Sequence, residues 1–162
     1  MLLGPAKAKI KIIKGDELKS GATISMDSSD VISVQFNPNK LAFKETVKYI
    51  EKTKIASSKE RNTPTGVFTN QRPRELTVEL LFDTYTSIRP EILKKDVKDE
   101  VEKFTNLLNS VDGKPPKVFF SWGSIQFKGV ITSMSYTYTL FTSSGKPARA
   151  TMNITLKEYK LD

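Results

Sequence analysis

Closely spaced strand patterns between Pro115 and Ala150 constrain the fold of this chain more than any other feature. The segment reads PPKVFFSWGSIQFKGVITSMSYTYTLFTSSGKPARA, with alternating apolar and polar residues and only short turns between the runs. A period of two residues is typical of strands that bury one face. We therefore predict three closely spaced β-strands, at 118–122, 125–127 and 132–140.

Each of these strands has a predicted buried face. In the last of them, we expect one face to carry Met134, Tyr136, Tyr138 and Leu140, and the other to carry Ser133, Ser135, Thr137 and Thr139. The β-branched Thr favours strands, and short polar side chains leave a flat, wettable surface. Another subunit can approach such a surface closely.

The same alternation predicts strands on both sides of this segment. In residues 7–13, Ala8, Ile10 and Ile12 are expected inside and the lysines outside. A second strand at 31–36 ends at an Asn-Pro-Asn turn, and a third covers 41–50. Residues 75–83 place Leu76, Val78, Leu80 and Phe82 on one face and predict a central strand. After the SSGKP turn, a final strand is predicted at 148–159, with Ala150, Met152, Ile154 and Leu156 inside.

One amphipathic helix is predicted between these groups of strands. Its apolar stripe consists of Val97, Val101, Phe104, Leu108 and Val111, with Leu107 beside them. Asp96 is suited to cap its start, and Asp112-Gly113 before two prolines is suited to end it. The order of strands, helix and strands predicts an α+β fold, a mostly antiparallel sheet or split β-barrel with one main helix.

The length of 162 residues predicts one domain over 1–162, with its core at 7–159. Residues 53–74 interrupt the strand patterns, because they are polar, contain two prolines and a glycine, and show no period. Long irregular stretches inside domains are commonly functional or disordered. We interpret 53–74 as a loop or hairpin that orders against a partner; a surface loop without a partner is the alternative.

Residues that carry out catalysis are scarce in this chain. It has no histidine and no cysteine, which removes histidine-based triads, thiol nucleophiles and the usual zinc ligands. No phosphate-binding glycine motif is present. Glu79 and Asp83 are acidic residues on one predicted strand and are interpreted as ordinary surface charge. We therefore expect no enzyme, no catalytic residues, no cofactor and no metal site.

The net charge of +8 leaves two interpretations open. A basic surface suits nucleic acid or an acidic protein, and Phe119, Phe127 and Lys128 would be the best candidates for nucleic-acid contacts. Solvated lysines on exposed strand faces are the more common explanation of a modest excess. No apolar run approaches the roughly 20 residues needed to cross a bilayer, and the N-terminus does not resemble a signal peptide. We therefore expect synthesis in the cytoplasm and no membrane insertion.

Five segments, in order, resemble one protein family. They are Phe36-Asn37-Pro38 with Leu41, the LTVELLFD strand ending at Asp83, the Asp96-Val97 helix start, Pro115-Pro116 through Trp122-Gly123 and Phe127, and Tyr138–Phe141 with Gly145, Pro147, Arg149 and Ala150. In these five segments the chain is similar to the tube-like domain of contractile injection systems, which has a phage-tail-like fold. The resemblance extends over residues 31–158 and includes baseplate tube initiators that often carry a LysM module.

The resemblance implies a structural role in a phage-tail-like particle that is cytoplasmic, membrane-anchored or released. Such domains form homohexameric rings between the spike or hub protein and the inner-tube protein, beside other baseplate proteins, and start assembly of the tube. A main inner-tube or tube-cap subunit is the alternative within the same machine, and a basic nucleic-acid-binding module is the alternative of another class. The chain ends about one strand after the last motif, so we expect no LysM module within it.

The motif residues are also the candidate interface residues. They are Phe36, Asn37, Pro38, Asp83, Pro115, Pro116, Trp122, Gly123, Phe141, Gly145, Pro147 and Arg149. We expect Arg149 to face outward and to pair with a carboxylate of a neighbouring subunit, with Asp83 as the candidate. The alternative is a surface cation that contributes less than about 1 kcal/mol.

Overall fold

The computed structural model of the chain describes residues 5–47, 49–51, 66–68, 73–85, 96–109 and 113–159. The strands in these ranges are β1 Lys9–Ile12, β2 Ile32–Ser33, β3 Leu41–Glu45, β4 Tyr49–Glu51, β5 Gly66–Phe68, β6 Arg74–Asp83, β7 Lys117–Trp122, β8 Ile125–Phe141 and β9 Pro147–Glu158. Helix α1 covers Val97–Thr105, and short 3-10 turns cover Gly15–Leu18 and Asn106–Leu108.

Seven of the strands form one sheet in the order β2-β1-β7-β8-β9-β6-β3, and every neighbouring pair is antiparallel. β4 and β5 pair separately. This architecture, with its one α-helix, confirms the predicted α+β class. Within the described ranges the sheet is open, with β2 and β3 at its two edges, so of the two predicted forms the antiparallel sheet is observed and a β-barrel is not confirmed.

The core lies between the sheet and α1. Alternate residues of β6 and β9 are buried on the helix-bearing face, as their period predicted; they are Leu76, Val78, Leu80, Phe82, Ala150, Met152, Ile154 and Leu156. Helix α1 packs mainly on β9 and β6, with the rings of Phe82 and Phe104 5.4 Å apart. Asp96 caps the helix, because its Oδ1 accepts a 3.0 Å hydrogen bond from the backbone N–H of Lys98.

The longest strand, β8, joins two predicted strands that were expected to be separate. It runs unbroken through 17 residues, pairing first with β7 and then with β9. A register shift between Ile131 and Ser133 keeps Phe127 and Met134 on the same face, although they are an odd number of residues apart. A second shift after Tyr138 pairs Leu140 with Arg149, which faces outward. The prediction that Leu140 shares the face of Tyr138 is therefore wrong.

The end of the helix also differs from the sequence pattern. The α-helix stops at Thr105 and tightens into the 3-10 turn, which changes the angle between successive side chains. Leu107 is consequently buried at 3% exposure, while Leu108, predicted on the apolar stripe, is 47% exposed. Val111 and Asp112 lie outside the described residues.

Two early strands are shorter than predicted. The strand expected at 31–36 is only β2, and the strand expected at 41–50 divides into β3 and β4. The segment predicted as a loop or hairpin at 53–74 lies mostly outside the described residues. Within it, Gly66–Phe68 pairs with Tyr49–Glu51.

Lys11 was expected to face solvent and is instead 3% exposed. Its Nζ donates hydrogen bonds to Glu17 Oε1 at 2.8 Å, to the Ser25 carbonyl at 3.1 Å and to Ser28 Oγ at 3.4 Å. Residues of the segment after β1 therefore surround the ammonium group with oxygen atoms, which supplies the partners that a buried charge requires. The hydrogen bond that Lys11 donates to Glu17 also lowers the pKa of the Glu17 carboxyl group.

Candidate assembly surface

Two of the predicted motifs meet at the N-terminal segment. Asn37 accepts a 2.9 Å hydrogen bond from the Ala8 backbone N–H and donates one of 2.9 Å to the Ala6 carbonyl. The Trp122 indole N–H donates to the same Ala6 carbonyl at 3.0 Å. Gly123 follows at φ +59°, in the two-residue turn between β7 and β8. Asn37 and Trp122 therefore hold the chain before β1 against the sheet.

The residue before the Phe-Asn-Pro motif connects the two sides of the open sheet. The Gln35 side chain accepts a 3.0 Å hydrogen bond from the Asp83 backbone N–H and donates one of 2.5 Å to the Asp83 carbonyl. It thereby occupies both backbone groups of the last β6 residue. Sequence reasoning missed Gln35, because no local pattern distinguishes a glutamine that pairs with a strand 48 residues away. Of its neighbours, Phe36 is 41% exposed and Pro38 is buried.

Asp83 and Arg149 form an ion pair within one chain. Arg149 Nη2 and Nε lie 2.7 Å and 3.0 Å from Asp83 Oδ2, and the two residues are directly opposite in the β6–β9 ladder. Asp83 Oδ1 also accepts a 2.8 Å hydrogen bond from the Tyr85 N–H. The carboxylate side chain is 5% exposed. The expected pairing between subunits is therefore corrected to a pairing within the subunit, because strand register places the two groups together.

The β8–β9 hairpin ends in a turn that carries three further motif residues. Gly145 has φ +82°, a conformation that favours glycine, and the turn is closed by a 2.8 Å bond from the Thr142 N–H to the Lys146 carbonyl. Pro147 is buried, whereas Phe141 is 57% exposed. The turn thus presents one large apolar side chain to its surroundings.

Pro115 and Pro116 line an apolar cavity of about 290 Å³ beside β8. The rest of its lining consists of Leu107, Leu108, Gly113, Lys114 and Ile131. Pro116 is buried and Pro115 is exposed. The two prolines therefore form part of the wall of a surface cavity, in addition to preventing a helix from continuing.

Besides the edge at β2, the described sheet has strand edges without a neighbouring strand at β3 and along part of β8. β3 is the last strand on one side, and only β6 pairs with it. On the other side, β7 pairs with β8 only as far as Val130, so Met134–Phe141 has β9 on one side and no described strand on the other. Unpaired edges offer N–H and C=O groups to another chain.

Along the middle of β8 and β9, the face of the sheet opposite the helix carries small polar side chains. Cross-strand pairs there are Ser133 with Thr155, Ser135 with Asn153, and Thr137 with Thr151, and Thr77 of β6 lies beside Thr155. The hydroxyl groups of Thr77 and Thr155 are 3.3 Å apart. We call these seven residues the polar face. It carries no buried side-chain polar atom without a partner within the described ranges.

No group of three or more potential metal ligands occurs within the described ranges. Phe119 and Phe127, the candidates for base stacking, are 4% and 2% exposed, so neither presents a ring face to a nucleic acid. Within the same ranges, no helix is long and apolar enough to span a membrane.

Comparison with known proteins gives one result about identity. No curated protein matches the chain. The family model described as contractile injection system tube protein matches residues 5–162. This match confirms the resemblance carried by the five motif segments. The chain therefore belongs to the contractile injection system tube protein family.

Proposed function

We propose that copies of this chain join through their sheet edges into a homohexameric ring at the baseplate end of the tube, where the ring starts tube assembly. The observation that carries this proposal is that, among the described strands, none lies beyond β3 or beside the Met134–Phe141 part of β8 on the side opposite β9. The proposed role is mechanical and involves no bond making or breaking.

Strand directions favour a ring over a closed pair. From β8 through β9 and β6 to β3, each strand is antiparallel to the next, so β8 and β3 run in opposite directions. A rotation about an axis roughly along the strands therefore brings β3 of one copy antiparallel to β8 of the next. Such a head-to-tail contact uses two different surfaces, and it closes into a ring when the rotation closes.

The position of the helix determines which face lines the ring. Helix α1 adds a layer to one face of the sheet, and a thicker outer layer requires the larger circumference. The polar face is therefore the one that turns inward. Its Ser, Thr and Asn side chains give the lumen a polar wall along β8 and β9, with the exposed Lys157 of β9 and Glu79 of β6 as charged neighbours on the same face.

The partners of this ring are the spike or hub protein on one side, the inner-tube protein on the other and other baseplate proteins around it. The exposed Phe141 and Tyr85, at 57% and 65%, lie at the end of the sheet where β6 and the β8–β9 hairpin finish. Exposed aromatic side chains are common anchors of protein interfaces. The exposure of Phe141 and Tyr85 supports the proposal that this end of the ring binds a different protein. A main inner-tube subunit is the second candidate, because family membership suits both.

Electron microscopy of purified protein and of intact particles tests the proposal. We expect six-fold rings from the isolated chain, and one or two rings per particle at the end of the tube near the spike. Many rings per particle would favour the main-tube subunit. A chain that remains monomeric, and whose deletion leaves particle assembly intact, would contradict both roles.

A further inference from the structure

We infer that β3 of one copy pairs with residues 134–138 of β8 in the next copy, with Lys44 directly opposite Ser135. This inference rests on the proposed ring, and it gives the register of the contact that joins neighbouring subunits. Each copy is then displaced by four residues along β8 relative to its neighbour.

Part of β8 is already paired with β7 of the same chain. This pairing extends to Lys117 opposite Val130, and the rest of the strand toward Phe141 has no described neighbour on that side. Within one copy, a row of cross-strand pairs joins β3 to β8 through Lys44, Glu75, Lys157 and Val130. A second copy that continued the sheet in this row would occupy the position of β7. The next copy must therefore be displaced toward the end of β8.

A regular stretch of β8 limits this displacement. Register shifts interrupt the β8–β9 ladder before Ser133 and after Tyr138, and between these two residues the pairing is one to one. The stretch is just long enough for β3, which has five residues. Only two antiparallel registers place all of β3 beside it, with Leu41 opposite either Thr137 or Tyr138.

The faces of the two strands decide between these registers. Leu41 pairs with the buried Val78, and Tyr138 pairs with the buried Ala150, so both lie on the helix-bearing face. A slip of one residue would turn every side chain of β3 to the wrong face. Leu41 is therefore opposite Tyr138, four residues beyond Met134, which shares its row within one copy. The resulting pairs are Leu41 with Tyr138, Ala42 with Thr137, Phe43 with Tyr136, Lys44 with Ser135 and Glu45 with Met134.

The backbone groups of the two edges point toward each other in this register. For L-residues, the face on which a side chain lies fixes the side to which its N–H and C=O point. Lys128 lies on the face opposite the helix, and its carbonyl accepts a 3.1 Å hydrogen bond from the Tyr159 N–H on the β9 side. Residues of β8 on the helix-bearing face, such as Tyr136, therefore direct these groups to the open side. Phe43 does the same on β3, because that strand runs oppositely and has its neighbour on the other side.

The direction of the displacement agrees with the twist of β-sheets. Strands of a closed sheet tilt so that, seen from outside with one strand running upward, the copy on the right lies higher along that strand. The Lys128 hydrogen bond places β9 to the left of β8 in this view when the helix-bearing face is outward. The next copy therefore joins on the right and lies higher on β8, beyond β7. With the polar face outward, the twist would displace it downward, onto β7.

The size of the displacement fits the tilt of strands in closed sheets. Four residues span about 14 Å along a strand, and the four strands from β8 to β3 span about 19 Å across. A ring has no net rise from copy to copy, so the displacement becomes a strand tilt of about 35°, within the range of about 35–45° for closed sheets. The displacement that clears β7 is therefore also one that closes a ring.

Cysteine crosslinking tests the register, because the natural chain contains no cysteine. Oxidised rings of the double variant Lys44→Cys, Ser135→Cys are expected to give a ladder of disulfide-linked copies on a non-reducing gel. The two positions form a non-hydrogen-bonded pair, whose Cα atoms lie about 4.5 Å apart, within the range of a disulfide. Within one copy, three strand spacings of about 4.8 Å separate β3 from β8, which exceeds the roughly 7 Å that a disulfide spans.

Two further double variants give the matched comparison. Ala42→Cys, Thr137→Cys tests the same register at the neighbouring pair and should give the same ladder. Lys44→Cys, Val130→Cys keeps the thiol on β3 but tests the undisplaced row, and it should remain monomeric on the gel.

The outcomes separate this inference from the proposed function. Rings that form normally while neither expected pair gives a ladder, or while the Val130 control gives one, would overturn the register and leave the ring intact. A natural chain that forms no ring would overturn both.

A backbone variant gives an independent readout. Tyr136→Pro removes the N–H that points to the open side and leaves the bonds to β9 in place, since proline is tolerated at strand edges. It should melt as a folded monomer and associate about ten-fold or more weakly than Tyr136→Ala, which keeps the N–H. Equal association of the two variants would contradict the pairing.

Discussion

Replacing Gly129 with alanine is predicted to destabilise the protein, although the same change in a compatible backbone conformation stabilises by about 0.4–1 kcal/mol. Gly129 occupies the part of β8 that pairs on both sides, with Val118 of β7 and Glu158 of β9. A Cβ atom there would lie 2.5 Å from the Lys157 carbonyl oxygen and 3.0 Å from a ring carbon of Phe127. The first of these atoms belongs to the backbone and cannot rotate away.

The expected loss of stability in Gly129→Ala follows from this crowding. Inserting a methyl group into a packed region costs about 1–3 kcal/mol, and for a chain of this size each kcal/mol lowers Tm by about 2–4 °C. We therefore expect calorimetry of Gly129→Ala to show a Tm about 2–12 °C below that of the natural protein. Ser133→Ala, on the exposed face of the same strand, should stay within about 0.5 kcal/mol. A Tm for Gly129→Ala equal to or above that of the natural protein would refute the close approach of β8 and β9.

Three further changes test other contacts. Asn37→Ala removes two hydrogen bonds to the N-terminal segment and should lower the free energy of unfolding by about 1–3 kcal/mol; an unchanged urea midpoint would contradict this role. Arg149→Ala removes the guanidinium that donates two hydrogen bonds to the buried Asp83 carboxylate and should cost about 1–3 kcal/mol in the same assay; an unchanged urea midpoint would contradict a stabilising role for the pair. Because Lys11 lowers the pKa of Glu17, ionised Glu17 stabilises the fold above its usual pKa of 4.5, and this contribution is lost as the pH falls through the lowered value. Glu17→Gln should flatten acid unfolding below about pH 4.5, and identical profiles would contradict the linkage.

Sequence periodicity predicted those elements whose buried face is set by the residues themselves. In β6 and β9, each alternate apolar residue is buried, because both strands are interior and packed against α1. The helix cap at Asp96 was predictable for the same reason, since the side chain bonds to a backbone group only two residues away. Local chemistry was sufficient in these cases.

Elements that depend on distant partners were not predictable. The register shifts in β8 all lie in the part that pairs with β9, and no residue type marks them. Lys11 looked like an outward lysine of an alternating strand, but the later segment with Glu17 covers it. In the candidate site, the predicted turn between the last two strands is observed, and the role of the motif residues as an interface stays a prediction. Phe43 is 47% exposed. Its alternating strand pattern does not indicate this, because exposure at a sheet edge depends on strand order.

The central claim is that neighbouring copies share one continuous sheet. A cryo-electron microscopy reconstruction of the assembled ring, at a resolution that separates strands, tests it most directly. The account predicts β3 of each subunit running antiparallel to the upper part of β8 in the next, with the polar face toward the lumen. Subunits that touch through other surfaces, with both of these edges facing solvent, would contradict it.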